Sequence, residues 1–161
     1  MGRLLGEDAV LFKEKINFKL PGGDGFKPHQ DSQAGWEIYA SYFINVLVCI
    51  DEATEENGCI QVAAGHHRGG IFRAWEPLSE DDMEGMEFVS CPTRPGDLVF
   101  FDSYTPHCSR PNLSGNSRRI YYVTYNRASE GDHLERYYAD KRKSYPPDIE
   151  REAGRDYVYR V

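Results

Sequence analysis

The chain has 161 residues and a formal charge of −7, with 40% hydrophobic and 28% charged residues. This length and composition are typical of one folded domain and exclude a largely disordered chain. The negative charge argues against a nucleic-acid partner, because phosphate contacts require a basic surface. No apolar run reaches the length of a membrane span and no signal peptide is recognisable, so we expect a cytoplasmic protein that does not bind a membrane. The four cysteines lack Cys-x-x-Cys spacing, which indicates reduced thiols.

The first half of the chain predicts strands separated by turns. Residues 9–20 are β-branched and aromatic with partial alternation, which predicts a strand followed by a Pro-Gly-Gly turn. Residues 36–50 are apolar and aromatic on both faces, as in a central strand that is covered on two sides. The acidic stretch 51–58 ends in Asn-Gly and predicts a hairpin-type loop, after which a new strand starts at Cys59.

The second half predicts one short helix, more strands and an irregular tail. Residues 77–85 are rich in acids, and Ser79 followed by Asp82 resembles a capping box, which favours a short surface helix. Further strands are predicted over residues 87–91, 96–102 and 118–126. The tail from residue 128 is charged and tyrosine-rich, and Pro146-Pro147 breaks any regular element there.

Many short strands with few helices predict an all-β protein with antiparallel sheets. A jelly roll, the cupin-like architecture, fits best because its two sheets bring strands that are distant in sequence to one opening. We predict a single domain over residues 1–161, with a core over about 9–127. The tail, 128–161, is expected to wrap around the outside of that core.

The first candidate metal ligands are His29 and Asp31, which are two residues apart. In an extended strand a residue and its second neighbour point to the same side, so this imidazole and this carboxylate converge. A third ligand has to come from elsewhere, and His107, at the end of a later strand, is the best candidate. Two histidines and one carboxylate on one face are the ligand set of non-haem Fe(II) oxygenases. Taken alone, His29 is better explained as an ordinary surface histidine beside a turn acid, and His107 likewise as an ordinary strand-end histidine.

Arg118, eleven residues after His107, opens the next predicted strand. Oxidation by Fe(II) and O₂ usually needs an electron-donating cosubstrate. A dicarboxylate cosubstrate needs a fixed cation for its distal carboxylate, and a guanidinium offers the matching fork. Arg119 faces the opposite side and is expected to be solvated or paired with the tail.

Several other residues have a functional and a structural interpretation. Asn17 and Lys19 share a strand face and are predicted to reach the cosubstrate, although a solvated face is an equal alternative. Asp102 is a candidate for orienting a liganding histidine through its second ring nitrogen. The turn 66–68, His-His-Arg, is either solvated or an anion-binding rim. Aromatic residues expected in the core or the pocket wall are Trp36, Tyr39 and Tyr42.

Several segments in the same order resemble the phytanoyl-CoA dioxygenase family, and they cover most of residues 10–127. The segments are His29-Gln-Asp31, Glu55-Glu-Asn-Gly58, Ala64-Gly-His-His-Arg68, Gly96-Asp-Leu-Val-Phe-Phe, Pro106-His-Cys-Ser-Arg-Pro-Asn and Arg118. The resemblance implies a double-stranded β-helix (jelly-roll) oxygenase that uses Fe(II) and 2-oxoglutarate. It also implies His29, Asp31 and His107 as metal ligands and Arg118 as the anchor of 2-oxoglutarate.

The resemblance further implies an enzyme that hydroxylates a small organic molecule with O₂. Residues 125–133, with the tail behind them, are more narrowly similar to bacterial members that hydroxylate aminoalkylphosphonates. Family members carry a longer region before the first core strand, and this chain is expected to lack it. A non-catalytic, truncated jelly-roll domain that binds metal or ligand without turnover therefore remains the alternative.

Overall fold

Two four-stranded antiparallel sheets are the main regular structure of the computed structural model, which describes residues 1–157. The strands are β1 (Ala9–Lys19), β2 (Phe26–His29), β3 (Phe43–Cys49), β4 (Ile60–Val62), β5 (Val89–Ser90), β6 (Leu98–Asp102), β7 (His107–Ser109) and β8 (Arg118–Arg127). The α-helices are α1 (Gly2–Leu5) and α2 (Leu134–Ser144). Short 3-10 turns cover Asp31–Ala34, Trp36–Ile38, His66–Gly69, Ala128–Glu130 and Asp148–Glu150. Within the described range no helix has the length and apolar character needed to cross a membrane.

The order of strands in each sheet gives the jelly roll. The larger sheet has the order β1-β8-β3-β6 and the smaller sheet the order β2-β7-β4-β5. Neighbouring strands are far apart in sequence, so each sheet collects strands from both halves of the chain. This confirms the prediction of an all-β, cupin-like architecture with few short helices.

Register decides which side chains of the larger sheet face the interior. Residues directly opposite each other in antiparallel strands share a face. Strand β8 lies between β1 and β3, and its alternate residues point inward together with their partners. On β1 and β8 the inward pairs are Lys13 with Thr124, Lys15 with Tyr122, Asn17 with Ile120 and Lys19 with Arg118. On β3 the matching residues are Asn45, Leu47 and Cys49.

Two apolar clusters hold the sheets and the helices together. One lies between the sheets and includes Leu47, Ile60 and Ile120. The other joins the start of β1 to α2, with Phe12 4.7 Å from the ring of Tyr137. Burying a side chain of this size stabilises the fold by about 1.5–3 kcal/mol, so both clusters contribute substantially.

The strand predicted over residues 36–50 is shorter than expected and begins at Phe43. Gly35 has a φ of 75°, and Trp36–Ile38 form a 3-10 turn instead of continuing a strand. Trp36 packs edge-on against Phe12 and Phe43 in the second cluster. The apolar run therefore serves a turn and a strand in succession, which hydrophobicity alone does not distinguish.

The short helix predicted over residues 77–85 is wrong, since this segment consists of turns. Ser79 and Asp82 nevertheless make the reciprocal bonds of a capping box. The Ser79 amide donates to Asp82 Oδ2 at 2.8 Å, and the Asp82 amide donates to Ser79 Oγ at 3.2 Å. These two bonds close a turn, and Gly85, with a φ of 75°, reverses the chain before a helix forms.

The tail contains the 11-residue helix α2, although its composition predicts no regular element. Tyr137 of α2 is buried, and the Tyr138 hydroxyl hydrogen-bonds the backbone of Glu14 on β1. Tertiary packing on β1 therefore stabilises a helix that local propensity does not indicate. Residues 158–161 lie outside the described range, and the single domain over 1–161 stays a prediction.

Candidate active site

The three predicted metal ligands come together at one end of the smaller sheet. His29 is the last residue of β2, His107 is the first residue of β7, and these two residues are paired in register. Strand β2 ends before Asp31, but Gln30 is still extended (φ −114°, ψ 137°), so residues 29 and 31 point the same way as predicted. One ligand atom from each of the three side chains lies within 4.8 Å of the others.

Both histidine rings are oriented by backbone carbonyl groups. Nδ1 of His29 lies 2.7 Å from the carbonyl oxygen of Lys27, and Nδ1 of His107 lies 3.0 Å from that of Thr105. A carbonyl oxygen only accepts hydrogen bonds, so each Nδ1 carries the proton. Each Nε2 therefore keeps a free lone pair, and Nε2 of His107 faces Asp31 at 3.9 Å.

The third candidate ligand is held by a relay of hydrogen bonds from the larger sheet. Asn45 Nδ2 donates to Asp31 Oδ2 at 2.8 Å, and Thr124 Oγ1 donates to Asn45 Oδ1 at 2.6 Å. Asn45 and Thr124 lie directly opposite each other on β3 and β8. The relay fixes one carboxylate oxygen and leaves the other available, as for a carboxylate ligand of a metal.

Burial and charge set the protonation of this group. Burial, and secondarily the neighbouring His107, lowers the pKa of His29 to about 3. Burial alone would raise the pKa of Asp31, but the electrostatic effects of the neighbouring His107 and Lys13 outweigh it and lower this pKa to about 2. At neutral pH the imidazole of His29 is thus neutral and the carboxyl of Asp31 is ionised, which are the forms that bind a metal.

Gln30, between the two ligands of the first motif, connects three segments around the site. Its side chain is fully buried, and Nε2 donates to the carbonyl oxygens of Gly70 and Tyr104 at 2.7 and 2.6 Å. Its Oε1 accepts a hydrogen bond from the amide of Phe72 at 2.9 Å. Because Tyr104 precedes His107 by three residues, Gln30 ties the two ligand-bearing segments to each other.

A pocket lies directly against the three candidate ligands. It has about 640 Å³ of empty space, part of which is open to solvent. From the larger sheet it is lined by Lys13, Lys15, Asn17, Asn45, Tyr122 and Thr124. Burial raises the pKa of Tyr122 to about 12, so this side chain is a neutral phenol in the pocket wall. Asn17 lines this pocket, and its predicted contact with a cosubstrate stays a prediction.

Arg118 begins β8 opposite Lys19 and is only 2% exposed. Its Nε and Nη1 are buried and have no hydrogen-bond partner among residues 1–157. Lys19 differs, because its Nζ already donates to Ser109 Oγ at 2.8 Å and to the carbonyl oxygens of Arg110 and Gly58 at 2.6 and 3.4 Å. Its predicted contact with a cosubstrate therefore stays a prediction, and its visible role is to join β1 to two loops.

Other residues singled out from the sequence lie at the edge of the site or away from it. Asp102 does not orient a histidine ring directly, since it accepts hydrogen bonds from the Tyr104 amide and the Thr105 hydroxyl at 3.0 and 2.9 Å. It shapes the turn that carries Thr105, whose carbonyl group orients His107. Arg119 faces outward and pairs with Asp51 at 2.8 Å.

The polar turn and the three aromatic residues occupy different positions in the fold. The 3-10 turn His66–Gly69 contributes nothing to the lining of the ligand-side pocket. Trp36 is core, and its ring lies 4.0 Å from Lys13 Nζ. Tyr39 donates to Asp140 Oδ2 on α2 at 2.9 Å, and Arg127 lies over the ring of Tyr42 at 5.3 Å. None of these three aromatic residues is among the described residues that line the pocket, although Trp36 contacts the lining residue Lys13.

Sequence comparison connects the chain to known dioxygenases. The model of the family described as phytanoyl-CoA dioxygenase (PhyH) matches residues 1–120. The chain is 43% identical over 166 residues to 2-aminoethylphosphonate dioxygenase from the uncultured bacterium HF130_AEPn_1, covering 98% of this chain and 61% of that protein. It is 42% identical over 146 residues to methylphosphonate hydroxylase from Gimesia maris, covering 89% of this chain and 55% of that protein. The chain thus spans little more than half the length of these relatives.

Comparison of structures gives the same fold. EctD from S. alaskensis with 2-oxoglutarate and 5-hydroxyectoine superposes with a TM-score of 0.72 at 24% identity, covering 80% of this chain and 48% of that chain. EvdO2 from Micromonospora carbonacea var. aurantiaca complexed with 2-oxoglutarate gives a TM-score of 0.62 at 26% identity, covering 77% and 55%. The predicted double-stranded β-helix is thereby confirmed. Since the family model matches residues 1–120 of 161, the chain belongs to the phytanoyl-CoA dioxygenase family.

Proposed function

We propose that this chain forms the core of an Fe(II)- and 2-oxoglutarate-dependent dioxygenase that hydroxylates a small organic molecule with O₂. The observation that carries the proposal is the convergence of His29, Asp31 and His107, with both Nε2 atoms free, beside a pocket. The kinship with proteins named dioxygenase and hydroxylase supports it. Four free thiols support the further proposal of a cytoplasmic location.

The donor set fits Fe(II). Two neutral imidazoles and one carboxylate are the facial ligand set that leaves coordination positions open for other ligands. His29, Asp31 and His107 would hold the metal, and their hydrogen bonds to Lys27, Asn45 and Thr105 fix their orientation. The cysteines offer no comparable cluster within the described chain.

The environment of Arg118 fits 2-oxoglutarate. A guanidinium with two unpartnered buried nitrogens is costly unless an anion completes it, since unsatisfied buried polar groups destabilise a fold. A carboxylate matches the guanidinium fork. Arg118 would therefore hold the distal carboxylate of 2-oxoglutarate, and the pocket-lining Asn17 lies between this end of β1 and the ligands.

In the proposed mechanism the residues of the chain bind and orient the metal and the cosubstrate. Iron with 2-oxoglutarate and O₂ supplies the oxidising power for hydroxylation when bound. The relay from Thr124 through Asn45 keeps Asp31 in one orientation. Gln30 keeps the segments of both histidines together. Tyr122 stays a neutral phenol, so it adds no negative charge beside the anionic cosubstrate.

The names of two relatives support a phosphonate as substrate, with 2-aminoethylphosphonate and methylphosphonate as the first compounds to assay. Such a substrate, with O₂, would be the partner of this site. Turnover also separates the proposal from the alternative of a non-catalytic jelly-roll domain. That alternative predicts binding of metal or ligand without release of succinate.

The test is a titration of Fe(II) and a succinate assay on the parent protein and on His107→Ala. We expect one Fe(II) per chain in the parent and at least a tenfold weaker affinity in the variant, since second-shell changes alone cost about 10–100-fold at metal sites. Succinate release should be abolished, with an unchanged circular-dichroism spectrum. His67→Ala, on the turn away from the pocket, is the matched control. Equal iron affinity in parent and His107→Ala would overturn the ligand assignment.

A further inference from the structure

Three lysine side chains lie near one another on β1 and α2, and Asp31 is the nearby carboxylate that affects one of them, Lys13. Lys13 and Lys15 line the pocket on β1, and Lys141 on α2 lies close enough to interact electrostatically with both. Within residues 1–157 none of these ammonium groups makes a hydrogen bond or an ion pair with a carboxylate. Lys13 instead lies on the face of the Trp36 ring at 4.0 Å. The chain carries a net charge of −7, so this local concentration of positive charge opposes the overall balance.

A bulge in β1 directs the first two lysines inward. The register of β1 against β8 shifts between Leu11 and Lys13, so Phe12 and Lys13 both point to the interior. Beyond the bulge the normal alternation resumes, and Lys15 follows on the same face. Lys15 Nζ lies 5.7 Å from the centre of the Tyr122 ring in the pocket wall.

Helix α2 brings the third lysine to the same place. The Tyr138 hydroxyl accepts from the Glu14 amide at 3.1 Å and donates to the Glu14 carbonyl at 2.7 Å, which fixes α2 against β1 between the two lysines. Tyr137 packs on Phe12 at 4.7 Å. Lys141 follows Tyr137 by four residues, so both lie on the face of α2 that is turned towards β1.

Burial is the main cause that lowers the pKa of Lys13 to about 7. Asp31 opposes this shift, and the charges of Lys15 and Lys141 add to it more weakly. Burial and the charge of Lys15 lower the pKa of Lys141 as well. Like charges this close destabilise each other unless an anion lies between them. The cluster is therefore organised for a ligand with more than one negative charge.

We propose that Lys13, Lys15 and Lys141 bind the doubly charged phosphonate group of the substrate, so that the C-terminal helix α2 forms one wall of the substrate site. This assignment rests on the function proposed above and adds the residues that select the substrate. A phosphonate dianion offers three oxygens to these three amino groups, and its negative charge raises the pKa of Lys13, so that Lys13 is protonated in the complex. A sulfonate of the same shape carries a single charge and gains less from each of them.

The test compares methylphosphonate with methanesulfonate on the protein loaded anaerobically with Fe(II) and 2-oxoglutarate, above the second ionisation of the phosphonate. Calorimetry should show that methylphosphonate binds at least tenfold more tightly than methanesulfonate. A difference of this size is on the order of the contribution of one extra charge-assisted contact. Lys15→Gln and Lys141→Gln should each weaken methylphosphonate binding about tenfold, while Lys141→Arg retains most of it. Lys143→Gln is the matched control, because this neighbour on α2 is 79% exposed and pairs with Asp140 at 3.7 Å.

The outcomes separate this inference from the proposed function. Equal binding of both anions by the parent, or unchanged binding in Lys15→Gln and Lys141→Gln, overturns the lysine assignment even when Fe(II) and 2-oxoglutarate bind normally. A parent that binds neither Fe(II) nor 2-oxoglutarate contradicts the proposed function instead. The visible absorption of the Fe(II)–2-oxoglutarate complex should be the same in all variants, which excludes a loss of folding as the cause of weaker anion binding.

Discussion

Replacing Arg118 tests the cosubstrate most directly, because this residue is 2% exposed and two of its guanidinium nitrogens have no partner among the described residues. A carboxylate bound to both nitrogens loses two charge-assisted hydrogen bonds in Arg118→Ala. The loss is on the order of 2–5 kcal/mol in a partly dry pocket. Since each ~1.4 kcal/mol is a factor of ten, the Kd for 2-oxoglutarate should rise by roughly one to three orders of magnitude.

The assay is an anaerobic titration of 2-oxoglutarate into the Fe(II) protein, followed by visible metal-to-ligand absorption. Arg118→Lys should give an intermediate Kd, because lysine keeps the charge and loses the fork. Iron affinity should not change, since arginine is not a ligand. Arg119→Ala is the control, because this neighbour points outward to Asp51.

A second measurement separates binding from a structural role. Without cosubstrate, Arg118→Met should melt at the same temperature as the parent or higher, because an apolar side chain replaces a buried charge with unpartnered nitrogens. If Arg118→Ala binds 2-oxoglutarate like the parent and Arg119→Ala does not, the strand register is wrong. If neither change alters the Kd, the cosubstrate assignment fails.

Three further predictions concern stability and association. The metal-free protein should lose stability as the pH falls from 6.5 towards 3, because burial holds the pKa of His29 at about 3 and the unfolded chain takes up that proton first. Urea unfolding across this pH range should show that the free energy of unfolding depends less on pH in His29→Gln than in the parent. An equal pH dependence in both proteins would contradict the lowered pKa of His29. Gly58→Ala should cost on the order of 1–3 kcal/mol or more, since φ is 74° and the added Cβ would lie 2.1 Å from the Arg110 carbonyl oxygen. Gly22→Ala, with a similar φ and open space, should cost less in the same thermal melt. Phe18, 60% exposed on the apolar outer face of the larger sheet, should promote association, so Phe18→Lys should lower the mass seen by light scattering. If the parent is as monodisperse as Phe18→Lys, Phe18 does not promote association.

Local spacing explains why the convergence of the candidate metal ligands His29 and Asp31 could be predicted from the sequence. The alternation of extended backbone needs only two adjacent residues, and it holds through Gln30 even though β2 ends at His29. The pairing of His29 with His107 was not readable, because it depends on which strands of the smaller sheet become neighbours. The resemblance to a family supplied that long-range information, and sequence periodicity alone did not.

Register and packing explain what the sequence did not reveal. Asn45 is a polar residue inside the apolar run of β3, and a buried amide requires partners, so it could have been noticed. In the sequence, Lys13 and Lys15 look like ordinary charged residues of a strand. The bulge that turns Lys13 inward cannot be recognised from the sequence pattern. Lys141 lies near Lys13 and Lys15 only through the docking of α2, which depends on the contact between Tyr137 and Phe12.

The two sheets contribute different kinds of polar side chains to the interior. The smaller sheet and the turn after it carry the neutral imidazoles and the carboxylate suited to a cation. The larger sheet carries the positive side chains suited to anions, with Arg118 at one end of β8 and Lys13 near the other end of β1. Because β1 is the edge strand on which α2 docks, a change in α2 should alter anion binding and leave the metal ligands in place. That separation is the reason for testing metal, cosubstrate and substrate anion with different variants.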